Sequence, residues 1–152
     1  MSLKDKVNGE IKNAMRAKNQ GALRALRAIK SAILLMETAE GREAGAPLST
    51  EEEMNLLIKQ AKQRRDSIET YEKNDRADLA VTEKEELEII EGFLPKQLSQ
   101  EEITEKVKAI IEQVGASSMK DMGKVMGMAN TQMKGVADGK TISGIVRGLL
   151  AG

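Results

Sequence analysis

Gly92-Phe93-Leu94-Pro95-Lys96-Gln97-Leu98-Ser99-Gln100-Glu101-Glu102 decides how the chain is organised. It holds the only Phe and one of two prolines. Pro95 disfavours the helical region for Leu94, so a helix arriving from upstream stops there. Ser99 followed by Glu102 is a capping box, which starts a fresh helix. A stop, a fixed bend and a new cap in so short a run mark a domain joint. The expected division is an N-terminal helical domain over residues 1–95 and a smaller C-terminal helical domain over residues 96–152.

Outward from the joint the periodicity is helical on both sides. Leu3, Val7, Ile11 and Ala14 or Met15 recur at helical spacing behind Ser2, predicting a first helix to Gln20. Ala22, Leu26, Ile29, Ile33 and Met36 predict a second, running to Glu40. Gly41, Gly45 and Pro47 make a loop, after which Thr50 with Glu53 reads as the capping box of a third helix to residue 73. Its stripe of Met54, Leu57, Ile58, Ala61, Ile68 and Tyr71 is broken by Arg64 and Arg65. Asp75 is placed to cap a fourth helix, whose face of Ala80, Leu87, Ile90 and Leu94 is broken by Glu83. A hairpin turning near Asn74 sets Arg65 and Glu83 at one level, as a partly buried ion pair that fixes register more than it stabilises.

Beyond the joint, Ile103, Val107, Ile110 and Val114 share a face, and Gly115 ends that helix. Ser117 or Ser118 opens the next, with Met119, Met122, Met126, Ala129 and Met133 on one side and Lys120, Lys124, Gly127, Thr131 and Lys134 on another. Thr141 leads a last helix carrying Ile142, Ile145, Val146, Leu149 and Leu150. No strand pattern occurs. The fold class is all-α, with a bundle of about four helices followed by a three-helix domain.

Composition narrows the chemistry. With one Phe, one Tyr and no Trp, the core is aliphatic. No Cys and no His are present, so thiolate nucleophiles, disulfides, Cys/His metal sites and imidazole acid–base catalysis are excluded. The carboxylates fall on helix faces and at caps, and no phosphate loop, dinucleotide fingerprint or calcium loop occurs. No catalytic residue, cofactor or metal is therefore expected. The first twenty residues have no apolar core of the signal-peptide kind, and no apolar run is long enough to span a bilayer, so a cytoplasmic protein without membrane contact is expected.

Net charge is zero but segregated. Residues 1–36 carry eight Lys/Arg against two Asp/Glu, residues 37–95 eight against sixteen, and residues 96–152 eight against six. Neutralisation of the first segment by the second, inside one domain, is the simplest reading. A basic face kept clear of the acidic segment would instead attract a polyanion.

Phosphate recognition needs Lys and Arg spaced along a face. Lys120, Lys124 and Lys134 fit, followed by Lys140 and Arg147, with Gly123, Gly127 and Gly135 where a ligand backbone could come close. Arg24, Arg27, Arg64 and Arg65 are second-tier candidates. Scarce aromatics argue against base stacking and leave a folded RNA read by shape and phosphate. Gly123-x-x-x-Gly127, in its polar setting, reads as a site of close helix packing rather than a membrane dimer motif.

Gln63-Arg64-Arg65-Asp66-Ser67, the run Phe93 to Ser99, and Gly135-Val136-Ala137-Asp138-Gly139-Lys140-Thr141-Ile142 together resemble the YqeY-like (GatB/YqeY) family across essentially the whole chain. Residues 122–149 look like the tail domain of the B subunit of glutamine-dependent Asp/Glu-tRNA amidotransferase, with Ala137-Asp138-Gly139 where that family usually has Ala-Asn-Pro. The resemblance implies two helical domains and a link to tRNA and to carbon–nitrogen ligation with glutamine as amido donor. It does not imply catalysis by this chain, because in the amidotransferase the chemistry belongs to parts with no counterpart here. Two functions follow as expectations: a tRNA-binding accessory protein, or a module that docks on an amidotransferase or synthetase without touching RNA. The oligomeric state is left open.

Overall fold

The computed structural model describes residues 1–151. They form seven α-helices: α1 (Leu3–Ala17), α2 (Gln20–Glu37), α3 (Thr50–Lys73), α4 (Ala77–Glu91), α5 (Gln100–Val114), α6 (Met122–Gln132) and α7 (Gly139–Ala151), with a 3₁₀ turn at Met119–Asp121. No strand occurs among the described residues. The all-α class expected from periodicity is what is observed. The chain divides into two compact units, Met1–Leu94 and Pro95 onward.

In the first unit α2 is the central helix, packing against α1, α3 and α4. That explains why Leu23 and Ala25 are buried alongside the expected stripe of Ala22, Leu26, Ile29 and Ile33: a helix covered on several sides needs more than one apolar stripe. Leu3, Val7 and Ala14 of α1, Leu56, Leu57 and Ala61 of α3 and Ile90 of α4 complete the core, with Phe93 and Leu94 packed against its edge. Beyond Ala61 no residue of α3 is fully buried, and Ala80 is the one buried side chain facing it from the start of α4. The outer half of this hairpin carries half-buried Ile68, Tyr71 and Leu87 together with exposed ion pairs such as Lys84 with Glu72 at 2.7 Å.

Three local expectations move by a residue or two, each for a visible reason. The α1–α2 break falls at Lys18, left-handed at φ 56°, and Asn19 caps α2 by accepting from the Ala22 N–H, so Gly21 lies inside the helix. The α3 capping box is Ser49 with Glu52, not Thr50 with Glu53. Glu53 instead accepts the Leu3 N–H at 2.6 Å, tying the start of α1 to α3. Asp75 does not cap α4: it adopts a left-handed φ of 57° in the turn, and the N-cap position is Arg76, which has no side-chain cap bond.

The expected ion pair is also displaced by one position. The cation beside Glu83 is Arg64, whose Nε lies 3.7 Å from Glu83 and 3.1 Å from Glu86. Arg65 lies on the neighbouring arc of α3 and points to Glu91, at 3.9 Å. The level in the hairpin was legible from residue counting, whereas the rotation of α3 about its axis was not.

In the second unit each helix contributes one residue per turn to a single core. These are Ile103, Val107 and Ile110 of α5, Val125, Ala129 and Met133 at and after α6, and Ile142, Val146 and Leu150 of α7. The inward face of α6 is thus centred on Val125, and Met119 is 43% exposed. Of the expected face, Ala129 and Met133 are buried and Met122 and Met126 pack against the core, while Met119 falls outside because residues 119–121 form a 3₁₀ turn, whose three residues per turn put it out of phase with α6. The joint is anchored within this unit. Leu98 N–H donates to the Val136 carbonyl at 2.8 Å, and Gln97 Nε2 donates to the carbonyls of Pro95 and Gly135 at 2.9 and 2.8 Å. The two most distinctive stretches of the sequence are therefore one hydrogen-bonded structure.

Candidate functional site

The segregation of charge in the second unit follows from where its carboxylates are spent. Four of the six lie on α5, and Glu102 there is held below the usual carboxylate range, first by the backbone N–H of Ser99 and then by its hydroxyl. Asp121 accepts from the N–H groups of Ser117 and Ser118 at 3.0 and 3.4 Å, and Asp138 accepts from the Thr141 hydroxyl at 3.5 Å. The helices α6 and α7 contain no acidic residue at all.

Against that background the cations stand out. Lys120 lies in the 3₁₀ turn, Lys124 one helical turn further on α6, and Lys134 just after α6, all exposed. Lys140 and Arg147 lie on the outward side of α7, opposite Ile142 and Val146. Among the described residues Lys120, Lys124 and Arg147 form no ion pair, while Lys134 and Lys140 each have a polar or electrostatic partner. On α6, Lys124, Gly127 and Thr131 form one outward stripe. On α7, Lys140, Gly144, Arg147 and Gly148 form another. The two helices pack against each other.

The glycines divide into two kinds. Gly135 is buried at φ 82° and its carbonyl receives Gln97, so the turn itself requires it. Gly123 and Gly127 are different: a Cβ built on either meets nothing within 4 Å. The close helix packing expected of this pair is absent within the unit. Gly144 and Gly148 are equally open. A glycine inside an exposed helix costs about 1 kcal/mol relative to Ala, and nothing inside the unit offsets that cost.

The second-tier arginines sit in the first unit, mostly engaged with carboxylates of α4. Arg24 lies 3.5 Å from Glu85 and 3.8 Å from Glu86, and Glu86 also takes Arg64, so one carboxylate links α2 to α3 through α4. Burial, followed by the nearby charge of Glu86, pushes the Glu83 carboxyl up, with Arg64 opposing. Arg65 is committed to Glu91. Arg24 and Arg27 are exposed, and Arg27 alone of the four forms no ion pair among the described residues. Among the described residues there is no group of three or more His, Cys, Asp or Glu placed to hold a metal ion, and no helix is long and apolar enough to cross a membrane.

The chain matches the family model described as Yqey-like protein over residues 4–150, and it belongs to that family. It is 31% identical over 135 residues to "Altered inheritance of mitochondria protein 41, mitochondrial" of Pyrenophora tritici-repentis (strain Pt-1C-BFP), a match covering 87% of this chain and 71% of that protein. It is 34% identical over 110 residues to the protein of the same name from Clavispora lusitaniae (strain ATCC 42720), covering 71% of this chain and 62% of the relative. The family named from the sequence is thus the family found. Mitochondrial location is a property of those two proteins by name.

Sequence reasoning missed the structural role of Gln97, whose amide bridges the carbonyls of Pro95 and Gly135; nothing in the local sequence distinguishes it from Gln100 in the same run.

Proposed function

We propose that this protein binds folded RNA of the tRNA class through the α6–α7 face of its second unit, as an accessory to tRNA handling rather than as a catalyst. In this reading residues 96–152 are a tail-type three-helix domain and residues 1–95 a four-helix support. Lys120, Lys124 and Arg147 contact phosphates, Lys134 and Lys140 add to the local field, and Gly123 and Gly127 let an RNA backbone approach the helix. The observation that carries the reading is the pairing of Lys124 and Arg147, unpaired among the described residues, with exposed helical glycines on two helices that hold no carboxylate. Backbone phosphates are the ligand for which charge and close approach are needed together. The resemblance to the amidotransferase tail supports tRNA as the kind of RNA. The two relatives set a mitochondrial compartment beside the cytoplasmic one expected from the sequence.

The test is binding of unfractionated tRNA as a function of salt, for the native chain and for Lys120→Gln/Lys124→Gln/Arg147→Gln. Loss of three phosphate contacts flattens the log–log salt slope by about 2 to 3. A variant with an unchanged slope would remove the second unit from the RNA contact.

A second reading, docking on an amidotransferase or synthetase without RNA contact, draws on the first unit. There Leu34 and Leu35 of α2 are 42% and 71% exposed. Absence of tRNA binding at low salt would turn the assignment to that reading.

A further inference from the structure

The first unit carries a charge asymmetry that its own fold does not resolve. Of the eight cations in residues 1–36, Lys4 pairs with Glu37 and Arg24 with Glu85 and Glu86. Among the described residues Lys6, Lys12, Arg16, Lys18, Arg27 and Lys30 form no ion pair, although sixteen carboxylates lie in residues 37–95. The carboxylates of the hairpin are spent on partners of α3 and α4, such as Arg64, Arg65, Lys73, Lys84 and Arg76. Neutralisation inside the domain, the simplest reading of the sequence, accounts for only part of the basic segment.

Four of the six unpaired cations lie on α1 or at its end. At 3.6 residues per turn, Lys12, Asp5, Arg16, Gly9, Asn13 and Lys6 fall within an arc of about 120°, three cations against one carboxylate. The arc is opposite Leu3, Val7 and Ala14, which are buried. Lys6 to Arg16 spans about 15 Å of helix axis. All three cations are exposed, and a Cβ built on Gly9 in their midst meets nothing within 4 Å. The two carboxylates of the helix are engaged locally: Asp5 accepts the Ser2 N–H at 3.4 Å and Glu10 accepts from Asn13 at 3.4 Å.

We propose that α1 is a second phosphate-binding face, in which Lys6, Lys12 and Arg16 contact RNA backbone phosphates and Gly9 admits their close approach. The proposal goes beyond the α6–α7 reading, resting on it only for the choice of RNA as the polyanion. Charge complementarity selects a polyanion as the occupant. An anionic lipid surface is the poorer fit, because the apolar side of α1 is committed to the core and is not available to enter a bilayer.

The experiment uses the full chain and unfractionated tRNA over a salt series. Three variants are compared with the native protein: Lys6→Gln/Lys12→Gln/Arg16→Gln on α1, Lys120→Gln/Lys124→Gln/Arg147→Gln in the second unit, and Lys59→Gln/Lys62→Gln/Lys73→Gln on α3 as a control of equal charge change. Helicity by circular dichroism confirms that each variant is folded. The expected result is a slope flattened by about 2 to 3 in the α1 variant and unchanged in the α3 control. A flattened α1 slope with an unchanged second-unit slope upholds this proposal while defeating the α6–α7 reading, and the reverse defeats this proposal alone. An α3 control that flattens the slope as much as the α1 variant overturns it, since net charge then suffices. Tighter binding to vesicles of one part phosphatidylserine to three of phosphatidylcholine than to tRNA also overturns it.

Discussion

Arg64 and Lys124 show two uses of a helix-borne cation. Arg64 is 16% exposed and sits between Glu83 and Glu86, at the level where the apolar core of the first unit gives out. Lys124 stands on a helix without a carboxylate, beside glycines that pack against nothing. Both lie where an apolar stripe is absent, and sequence pattern alone gives them equal standing. What separates them is whether the fold supplies the counter-charge. Where it does, the cation sets the register of two helices. Where it does not, the cation is available to an outside anion.

The strongest way to break the comparison is through the cores that hold the two surfaces in shape. Met133 is fully buried at the centre of the second unit's core. Met133→Ala should cost about 2–5 kcal/mol, read as loss of amide-exchange protection across α5, α6 and α7. The α6–α7 face should lose tRNA binding in the same denaturant range. If binding survives the loss of protection, the face is not what binds.

Next in size is the paired side of the comparison. Glu86→Ala leaves Arg24 and Arg64 without their shared carboxylate and should cost about 2 kcal/mol, measured by urea unfolding. The companion Arg64→Met/Glu83→Leu/Glu86→Leu replaces the part-buried cluster by apolar volume and should cost distinctly less than Glu86→Ala, because the charges go together and Arg24 keeps Glu85. Glu83 adds a pH signature. Its folded pKa is raised, so its contribution is present in full below the ordinary carboxylate range and is lost as pH rises through the folded value. Glu83→Gln should remove that portion of the first unit's pH dependence. An identical pH–stability curve would show that the carboxyl is not desolvated as the structure has it.

A smaller effect is expected at the start of α5. Ser99→Ala removes one half of a reciprocal capping box, in which Ser99 Oγ accepts from the Glu102 N–H at 3.1 Å and Glu102 accepts from the Ser99 N–H at 2.9 Å. It should cost about 1 kcal/mol. The sign with pH is opposite to that of Glu83. The Glu102 pKa is lowered on folding, so its stabilisation is present above the ordinary carboxylate range and fades as pH falls through the folded value. Acid titration of the two units by residue-resolved exchange would therefore show the cap weakening while the Glu83 penalty is relieved.

How much of this was legible depended on whether the signal was local. The start of α5 was legible because Ser99 and Glu102 act on their own backbone, and the structure places the cap where the residues put it. The all-α class was legible from periodicity, as were most core positions of α1, α2 and α5. Azimuth was not. Arg64 and Arg65 are adjacent in sequence but 100° apart around α3, and only packing chooses between them. Competition between like residues was not legible either, as at Ser49-Thr50 and Glu52-Glu53, where a contact from Leu3, distant in sequence, decided which pair capped the helix. At the candidate site the cations were visible in the sequence, but which of them go unpaired among the described residues, as Lys120, Lys124 and Arg147 do, was not, because that depends on where every nearby carboxylate is spent.

The smallest expected effect discriminates best, because stability and function should move in opposite directions. Gly127→Ala adds a methyl group that meets nothing within 4 Å and removes the conformational freedom of a glycine from the unfolded chain. By itself it should stabilise the second unit by about 0.5–1 kcal/mol. If an RNA backbone lies against α6, the same methyl holds it away from the helix and from Lys124. Affinity for tRNA should then fall while thermal stability rises. Gly135→Ala is the counter-example within one unit: its φ of 82° makes the substitution strained, so stability falls and any loss of binding follows from that. A Gly127→Ala protein that is more stable and binds tRNA as well as the native chain would show that the open glycines do not serve close approach. The cations would then carry the interface alone, through long-range attraction rather than backbone contact.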